Sequence, residues 1–219
     1  MNSITKRIAF YGGTFDPVHC GHLAVSKAVS ELFRIDEFFL LPAFHAPHKP
    51  NSKPTSAFHR YAMLCLATAA YPKIAVSTIE LDHGKIRYSF DTLAELRSSF
   101  PNDRIFFVMG ADSWTDILTW HRWEEVLLMT DHVVISRPGY AIDFRHVTDV
   151  VRERIVDLRG GASPPPLEKR PSIFITDAVN MDISATEIRN DVLEDDVLDR
   201  TDDVPPEVAK YIEKYELYK

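Results

Sequence analysis

The sequence predicts an α/β fold in which a doubly wound, mostly parallel sheet carries helices on both faces. Short apolar segments rich in β-favouring residues alternate along the chain with amphipathic, helix-like segments. This alternation is typical of β-α-β units, whose crossover helices bring successive strands side by side in parallel. The predicted strands are Ile8–Tyr11, Glu37–Leu41, Ile74–Leu81, Arg104–Met109, His132–Ser136 and Ile173–Thr176. The predicted helices are Leu23–Phe33, Ala57–Ala70, Ser89–Ser99, Trp123–Met129 and Phe144–Leu158.

The first half of the chain carries clear signals for its elements. Ile8–Tyr11 is apolar at every position, as expected of a strand buried on both faces. Leu23–Phe33 has apolar residues at helical spacing, which predicts one buried face. That face comprises Leu23, Ala24, Ala28, Leu32 and Phe33. Pro42 ends the second strand, and residues 42–56 hold four prolines and two histidines, which predicts a long functional loop.

The second half predicts further strands and a C-terminal helical segment. Ile74–Leu81 alternates like a half-buried strand, whereas Arg104–Met109 is a run of β-favouring residues. The glycine- and proline-rich stretch at residues 160–166 is interpreted as a surface loop, because the chain beyond it is too short for an independent core. We therefore predict a single domain over residues 1–219, with a C-terminal helical segment from about residue 184 to residue 219.

Composition indicates a globular protein and argues against several classes. The chain has 219 residues, of which 45% are apolar, enough to bury a core. Its formal charge of −7 gives no indication that the protein binds nucleic acid or an anionic membrane surface. Cys20 and Cys65 lack CxxC spacing, so a reducing, cytoplasmic environment is expected rather than disulfides. No apolar stretch approaches membrane-spanning length, so no membrane anchor is expected.

The most informative segment is the run from Gly12 to His22, called here the glycine–histidine run, which follows the first strand. Its two glycines let a ligand approach the main chain, and the next helix presents free N–H groups that attract phosphate. His19 and His22 are three residues apart, so on a helix they share one face. Asp16 is predicted to cap this helix, with Pro17 in its first turn. The glycine spacing differs from that of GxGxxG and of the GxxxxGK[ST] loop.

A second phosphate-binding candidate is the segment from Ser184 to Arg189. Ser184 and Glu187 have the spacing of a capping box, which predicts that a helix starts at Ser184. Its free N–H groups, the hydroxyls of Ser184 and Thr186, and the Arg189 guanidinium can together hold phosphates. A plain helix cap with a surface arginine is the alternative interpretation of the same pattern.

The glycine–histidine run resembles the GTFDPxHxGH element of the nucleotidyltransferase α/β-phosphodiesterase superfamily. These enzymes have a Rossmann-like fold and transfer an AMP or CMP unit from a nucleoside triphosphate, releasing pyrophosphate. The Ser184–Arg189 segment resembles the superfamily's ISSTxIR element, with Ala185 where serine is common. The resemblance implies that His19 and His22 are catalytic, as donors to the α- and β-phosphates.

Four shorter segments narrow the resemblance to the bacterial nicotinate mononucleotide adenylyltransferase family, in matching order over residues 8–218. They are Pro47-His48-Lys49 in the proline loop, Tyr88-Ser89, Trp120-His121, and Arg137-Pro138-Gly139-Tyr140. The Gly110-Ala111-Asp112 turn resembles the family's GxD turn for adenosine. Two positions depart from the pattern, because Ala46 stands where the first proline of PPHK is usual and Arg87 replaces the serine of SYT.

The resemblance implies transfer of the adenylyl group of ATP to nicotinate mononucleotide, giving deamido-NAD and pyrophosphate. It assigns ATP binding to Gly12, Gly13, Thr14, Phe15, Gly110, Asp112, Ser184, Thr186 and Arg189. It assigns mononucleotide binding to His48, Lys49, Tyr88, Ser89, Trp120 and Arg137. Mg²⁺ is expected to bind mainly through the ATP phosphates and water, so no metal-ligating residues are named. Whether the protein is a monomer or a homo-oligomer stays open.

Three alternatives stay open at this point. A phosphopantetheine adenylyltransferase shares the glycine–histidine run, although such enzymes are typically shorter and are not expected to carry the Trp120 and Arg137 segments. A catalytically silent nucleotide-sensing module of the same fold is a second alternative, which the intact histidines and Arg189 disfavour. A structural zinc site is a third, and its ligands would be His19, His22, His45 and His48.

Overall fold

The fold is a seven-stranded sheet in which every strand pair is parallel. The computed structural model describes residues 5–44, 54–136, 142–179, 181–195 and 202–219. The strands are β1 (Arg7–Gly13), β2 (Glu37–Pro42), β3 (Ile74–Val76), β4 (Arg104–Gly110), β5 (Asp131–Ile135), β6 (Ile155–Asp157) and β7 (Ile173–Thr176). Their order is β3-β2-β1-β4-β5-β7-β6, so the strand order reverses between β1 and β4. Parallel α/β sheets bind ligands at such a reversal, at the carboxyl ends of the strands.

Helices cover both faces of the sheet, which confirms the predicted doubly wound α/β class. They are α1 (Cys20–Phe33), α2 (Ala57–Thr68), α3 (Ser89–Ser99), α4 (Ala111–Thr115), α5 (Trp123–Met129), α6 (Asp149–Arg152), α7 (Ala185–Asp195) and α8 (Pro206–Lys214). Buried side chains of α1, α2, α7 and α8 belong to the core on one face, and those of α3 to α6 belong to the core on the other.

The central strand β1 shows why the sequence pattern predicted a sheet buried on both sides. Ala9 and Tyr11 face one core, whereas Ile8 and Phe10 face the other. Successive side chains of a strand point to opposite faces, so a strand covered on both sides must be apolar throughout. The main chain of β1 pairs with β2 through Tyr11 and Leu40 and with β4 through Tyr11 and Val108. The residues that follow β1 therefore lie between the ends of two neighbouring strands.

Most predicted elements are confirmed, and the exceptions have a physical cause. Ser89–Ser99, Trp123–Met129 and Ile173–Thr176 have the predicted bounds. The predicted helix Phe144–Leu158 is wrong, because this stretch contains the four-residue helix α6 and then the edge strand β6. Its apolar residues at helical spacing include Val147 and Val151, which are buried in the core, whereas pairing with β7 makes residues 155–157 a strand. The strand predicted at Ile74–Leu81 ends at Val76.

The C-terminal segment returns to the start of α1. The Cys20 amide donates a hydrogen bond of 2.8 Å to the carbonyl of Asp203. On α8, Tyr211 is joined to His59 of α2 by a hydrogen bond of 2.9 Å between the hydroxyl and Nδ1. Residues near both ends of the chain therefore flank the same edge of the sheet. Within the described ranges, no helix combines the length and apolar character needed to cross a membrane.

Candidate functional site

A cavity of about 610 Å³ opens at the carboxyl ends of β1, β2 and β4. Its wall is built from the loops that follow these strands, together with the beginning of α7. The volume lies in the range that encloses a small ligand or cofactor. Residues named from the sequence that line the cavity are Gly12, Gly13, Thr14, Phe15, His19, His22, Ser89, Gly110, Asp112, Trp120, Ser184, Thr186 and Arg189. Segments that are far apart in the chain thus meet at one edge, as the strand pattern predicted.

The two glycines of the glycine–histidine run are required by the aromatic rings that pack against them. A Cβ atom at Gly12 would lie 2.8 Å from Cζ of Phe107, and one at Gly13 would lie 3.0 Å from Cζ of Phe15. Both are shorter than ordinary carbon contacts. The left-handed residue of the run is Phe15, whose φ is +53°. The rings of Phe15 and Phe107 therefore close over the main chain that the glycines leave bare.

The two histidines pack against each other at the N-terminus of α1. His19 is the N-cap residue and His22 is in the first turn, with ring centroids 3.7 Å apart. The His19 amide donates to Nδ1 of His22 across 3.2 Å. In the neutral ring this places the His22 proton on Nε2, where it can be donated to a ligand. The helix N-terminus and this imidazole together favour an anion.

The prediction that Asp16 caps α1 is wrong. His19 holds the cap position, and α1 begins at Cys20. The Asp16 carboxylate instead accepts hydrogen bonds from the Thr55 amide, at 3.0 Å, and from the Tyr218 hydroxyl, at 2.7 Å. These bonds link the run to the loop after β2 and to the C-terminal end of the chain.

The start of α7 presents a guanidinium and two hydroxyls to the same cavity. The helix begins at Ala185, directly after Ser184, whose carbonyl accepts from the Ile188 amide at 3.1 Å. Arg189 donates through one nitrogen to the carbonyl of Asp16 at 2.6 Å and through another to the Thr186 hydroxyl at 3.2 Å. The guanidinium is thereby held beside the glycine–histidine run, so the plain surface-arginine interpretation does not describe it.

The loop after β4 supplies the turn that resembles GxD. A Cβ atom at Gly110 would lie 2.6 Å from Oδ1 of Asp112, so a larger residue at this position would displace the Asp112 side chain. Asp112 is in the first turn of α4, and both residues line the cavity with Ser113. This places a carboxylate and a hydroxyl at the end of the cavity next to β4.

Aromatic side chains, those of Phe107 and Trp120, form a part of the cavity lining together with Ser89. Ser89 is the first residue of α3, and Trp120 packs edge-on against Phe107 with ring centroids 6.4 Å apart. Tyr88, the N-cap residue of α3, does not line the cavity and is 46% exposed. Its ring stacks on His121 instead, with centroids 4.7 Å apart. The side chain of Tyr88 is thus placed outside the wall to which Ser89 and Trp120 contribute.

Three residues named from the sequence, His48, Lys49 and Arg137, lie outside the described residues, and so does His45 of the zinc alternative. The parts of the chain that the structure describes contain no group of three or more His, Cys, Asp or Glu residues arranged for a metal ion. The side chains that line the cavity include hydroxyls, imidazoles, two guanidiniums and three carboxyl groups, and the carboxyl groups do not form such a cluster. Such a set fits a Mg²⁺ ion held by phosphate oxygens better than one held by protein carboxylates.

Several cavity residues could not be named from local sequence. Glu80, Arg87, Thr55 and Tyr218 all line the cavity, although the sequence assigned a binding role to none of them. Arg87 carried the one available signal, since it departs from the serine of the family pattern. Its guanidinium donates to the Asp91 carbonyl at 2.9 Å and is paired with the carboxylate of Glu95. The other residues reach the site through contacts that only the tertiary structure creates.

Glu80 is a buried carboxyl group in the cavity wall. Its Oε1 accepts a hydrogen bond of 2.9 Å from the Thr92 hydroxyl. Burial raises the pKa of Glu80 to about 7, although the Thr92 hydrogen bond and the charge of Arg87 oppose the shift. The folded protein therefore holds a proton on Glu80 that the unfolded chain releases near pH 4.5. Stability is lost as pH rises through this window, because the native state binds more protons than the unfolded state.

Replacing Glu80 by glutamine should remove this pH-dependent loss of stability. Glutamine keeps an oxygen that can accept from Thr92 and cannot ionise. Between about pH 4 and pH 8 the free energy of unfolding of the variant should gain roughly 3 kcal/mol relative to that of the unaltered protein. Urea denaturation of both proteins at several pH values measures the difference. A difference that stays constant over this range would contradict the buried, protonated state of Glu80.

Comparison with known proteins places this site in a family context. A family model described as cytidylyltransferase-like matches residues 10–191. A probable nicotinate-nucleotide adenylyltransferase from Thermoanaerobacter sp. is 35% identical over 214 residues, which cover 97% of this chain and 94% of the relative. A relative of the same description from Mycolicibacterium vanbaalenii is 38% identical over 148 residues, covering 68% of this chain and 69% of the relative.

Solved structures agree on the fold. The nicotinic acid mononucleotide adenylyltransferase of Plasmodium falciparum, complexed with NaAD, superposes with a TM-score of 0.74 at 23% identity, covering 97% of each chain. The same protein complexed with APC superposes with a TM-score of 0.72 at 24% identity. At this identity the likeness supports the shared α/β architecture.

Proposed function

The chain belongs to the nicotinate-nucleotide adenylyltransferase family, and from this premise we propose that its cavity joins ATP and nicotinate mononucleotide into deamido-NAD, a reaction of NAD biosynthesis. A phosphate oxygen of the mononucleotide forms a bond to the α-phosphorus of ATP. The bond from that phosphorus to the α,β-bridging oxygen breaks, and pyrophosphate leaves with the electron pair. No side chain forms a covalent bond, so positioning and charge stabilisation carry the catalysis.

The observation that carries the proposal is the convergence of the glycine–histidine run with the start of α7 on one cavity. We assign the main chain of residues 12–15 and the N-termini of α1 and α7 to the triphosphate. His22 donates from Nε2 to the α-phosphate oxygens, where negative charge develops, and His19 lies beside it. Arg189, with Ser184 and Thr186, binds the β- and γ-phosphates.

The two ends of the cavity are assigned to the two nucleosides. Gly110 and Asp112 stand where the adenosine ribose and base bind, and Ser89 and Trp120 stand where the nicotinate ring binds. Tryptophan offers a flat apolar surface on which a pyridine ring can stack. His48, Lys49, Tyr88 and Arg137 keep their sequence-based assignment to the mononucleotide, as a part of the proposal that rests on resemblance alone.

Mg²⁺, localisation and domain organisation complete the proposal. Mg²⁺ neutralises triphosphate charge when bound, and it would be held by the phosphate oxygens and water. We also propose that the protein acts in the cytoplasm, that residues 1–219 form one nucleotidyltransferase domain, and that its partners are its two nucleotide substrates. The choice between a monomer and a homo-oligomer is left to solution measurement.

A pyrophosphate-release assay tests the proposed reaction. The protein is incubated with ATP, Mg²⁺ and, in separate reactions, nicotinate mononucleotide, nicotinamide mononucleotide or phosphopantetheine. We expect release with nicotinate mononucleotide and formation of deamido-NAD in equal amount. Release with phosphopantetheine alone would identify the first alternative enzyme, and ATP binding without release in any reaction would identify a nucleotide sensor.

Replacing Arg189 by lysine should lower kcat/KM for ATP about tenfold or more, because a lysine ammonium cannot replace the planar fork of the guanidinium. Lysine also cannot bridge the Asp16 carbonyl and the Thr186 hydroxyl as Arg189 does. The matched control is Arg145→Lys, which alters a guanidinium that is 90% exposed and paired with Asp143. Steady-state kinetics compare the three proteins. Unchanged ATP kinetics in Arg189→Lys would return Arg189 to a structural role.

A further inference from the structure

The glycine–histidine run contains a backbone conformation that other parts of the chain must hold. Phe15 has a φ of +53°, which is unfavourable for a residue with a side chain. Such a conformation persists where the surrounding structure determines it, and it is often found in ligand-binding segments. The residues on either side, Thr14 and Asp16, each accept hydrogen bonds from distant parts of the chain.

Arg60 holds the Thr14 side of this conformation. Its guanidinium is fully buried and donates to three carbonyls, those of Thr14 at 2.7 Å, Phe44 at 2.9 Å and Thr55 at 2.9 Å. Burial lowers the pKa of Arg60, and the negative charge of Asp16 opposes that shift. A buried cation needs such a partner, since an uncompensated charge in the interior is costly. Arg60 thus ties the run to the loop after β2.

Asp16 holds the other side and is itself 6% exposed. One carboxylate oxygen accepts from the Tyr218 hydroxyl at 2.7 Å and the other from the Thr55 amide at 3.0 Å. The Asp16 carbonyl accepts from Arg189 at 2.6 Å. The orientation of the Arg189 guanidinium therefore depends on Asp16, and that of Asp16 depends on Tyr218.

The C-terminal end of the chain is shaped to bring Tyr218 to this position. Glu216 and Tyr218 have φ values of +49° and +70°, both in the left-handed region. Burial raises the pKa of Tyr218 above its usual range, and the negative charge of Asp16 raises it further. The hydroxyl therefore keeps its proton and donates a hydrogen bond to Asp16 over the pH range of an enzyme assay. The left-handed conformations of Glu216 and Tyr218 thus accompany a charge-assisted hydrogen bond to Asp16.

We propose that Tyr218 is a positioning residue for adenylyl transfer, because its hydroxyl fixes Asp16 and, through the Asp16 carbonyl, the Arg189 guanidinium beside the phosphate site. The proposal rests on the proposed binding of ATP at the glycine–histidine run. It makes the C-terminal end of the chain a part of the nucleotide site. Tyr218 acts through Asp16 and Arg189, of which Arg189 is assigned to ATP, whereas Ser89 and Trp120 are assigned to the acceptor.

The test replaces Tyr218 by phenylalanine, which removes the hydroxyl and keeps the ring. We expect Kd for ATP, measured by calorimetry, to rise about tenfold, as for loss of one charge-assisted hydrogen bond. KM for ATP should rise in parallel, whereas KM for nicotinate mononucleotide should stay within twofold. The matched control is Tyr215→Phe, which removes a hydroxyl from an exposed ring of the same segment that packs on Tyr211 and His59.

Further measurements separate positioning from a loss of folding. A loss of folded protein would lower kcat and leave both KM values unchanged, which would overturn the proposal. An unchanged Kd for ATP in Tyr218→Phe would also overturn the proposal. The same would follow if Tyr215→Phe raised Kd for ATP as much as Tyr218→Phe does. In an Asp16→Asn background, the Tyr218→Phe change should raise Kd for ATP by less than a further twofold. A further tenfold rise in Kd would contradict action through Asp16. Calorimetry needs no acceptor, so this test remains valid if the acceptor in the proposed reaction is wrong.

Discussion

Replacing His22 by alanine is expected to lower kcat by about 10²–10³-fold, because a preorganised donor to the developing phosphate charge is lost. The His19 amide bonded to Nδ1 fixes the ring so that Nε2 carries the proton in the neutral form. The ring also packs edge-on against Phe15, with centroids 4.9 Å apart. Its orientation is therefore set before ATP binds. Because the charge develops as the transition state forms, the loss should fall on kcat more than on KM for ATP.

His22→Asn separates the donor role from the role of the ring at the helix start. An asparagine side chain can accept from the His19 amide, as Nδ1 does, but it does not extend to the position of Nε2. Thermal unfolding should stay close to that of the unaltered protein, while kcat falls nearly as far as in His22→Ala. His59→Ala, which alters a histidine that contacts Tyr211 of α8 and does not line the cavity, is the matched histidine control. Turnover within a few-fold of the parent in both His22 variants would contradict the phosphate role.

The fold could be predicted from sequence where local pattern and tertiary environment agree. β1 and β4 are buried on both faces and read as uninterrupted apolar runs, so they were predicted within two residues of their bounds. The stretch Phe144–Leu158 was mispredicted because its apolar residues keep a helical spacing from the short helix α6 into β6. Pairing of β6 with β7 is a long-range interaction that no local pattern contains.

The residues of the site likewise divide into those that local sequence predicts and those that only long-range contacts bring to the site. The glycine–histidine run and the start of α7 could be predicted, because phosphate binding needs particular residue types at fixed local spacing. Arg60 and Tyr218 could not, since each acts through a contact with a residue 46 or 202 positions away. Asp16 was predicted as a helix cap, the common local role of an aspartate before a helix. Its buried hydrogen bonds to Thr55 and Tyr218 depend on where two other loops pass.

Nicotinate mononucleotide is expected to be used about a hundredfold or more efficiently than nicotinamide mononucleotide, as judged by kcat/KM. The two acceptors differ only in a carboxylate against an amide, so discrimination requires donors aimed at the negative group. Ser89 begins α3, and the helix N-terminus offers free N–H groups next to Trp120 in the cavity wall. When the amide enters, some of these donors face its NH₂ group, and a mismatch of this kind costs a few kcal/mol.

Side-by-side kinetics with the two mononucleotides measure this preference, and Arg87→Ser identifies its source. Arg87 lines the cavity, but its guanidinium is already engaged by the Glu95 carboxylate and the Asp91 carbonyl. If neutral donors discriminate, the serine variant should keep most of the preference. If the preference falls to a few-fold, the Arg87 cation is the source instead. Equal efficiency in the unaltered protein would mean dual specificity. A preference for the amide would overturn the proposed acceptor and leave adenylyl transfer in place, because the phosphates are assigned to other residues, among them His22 and Arg189.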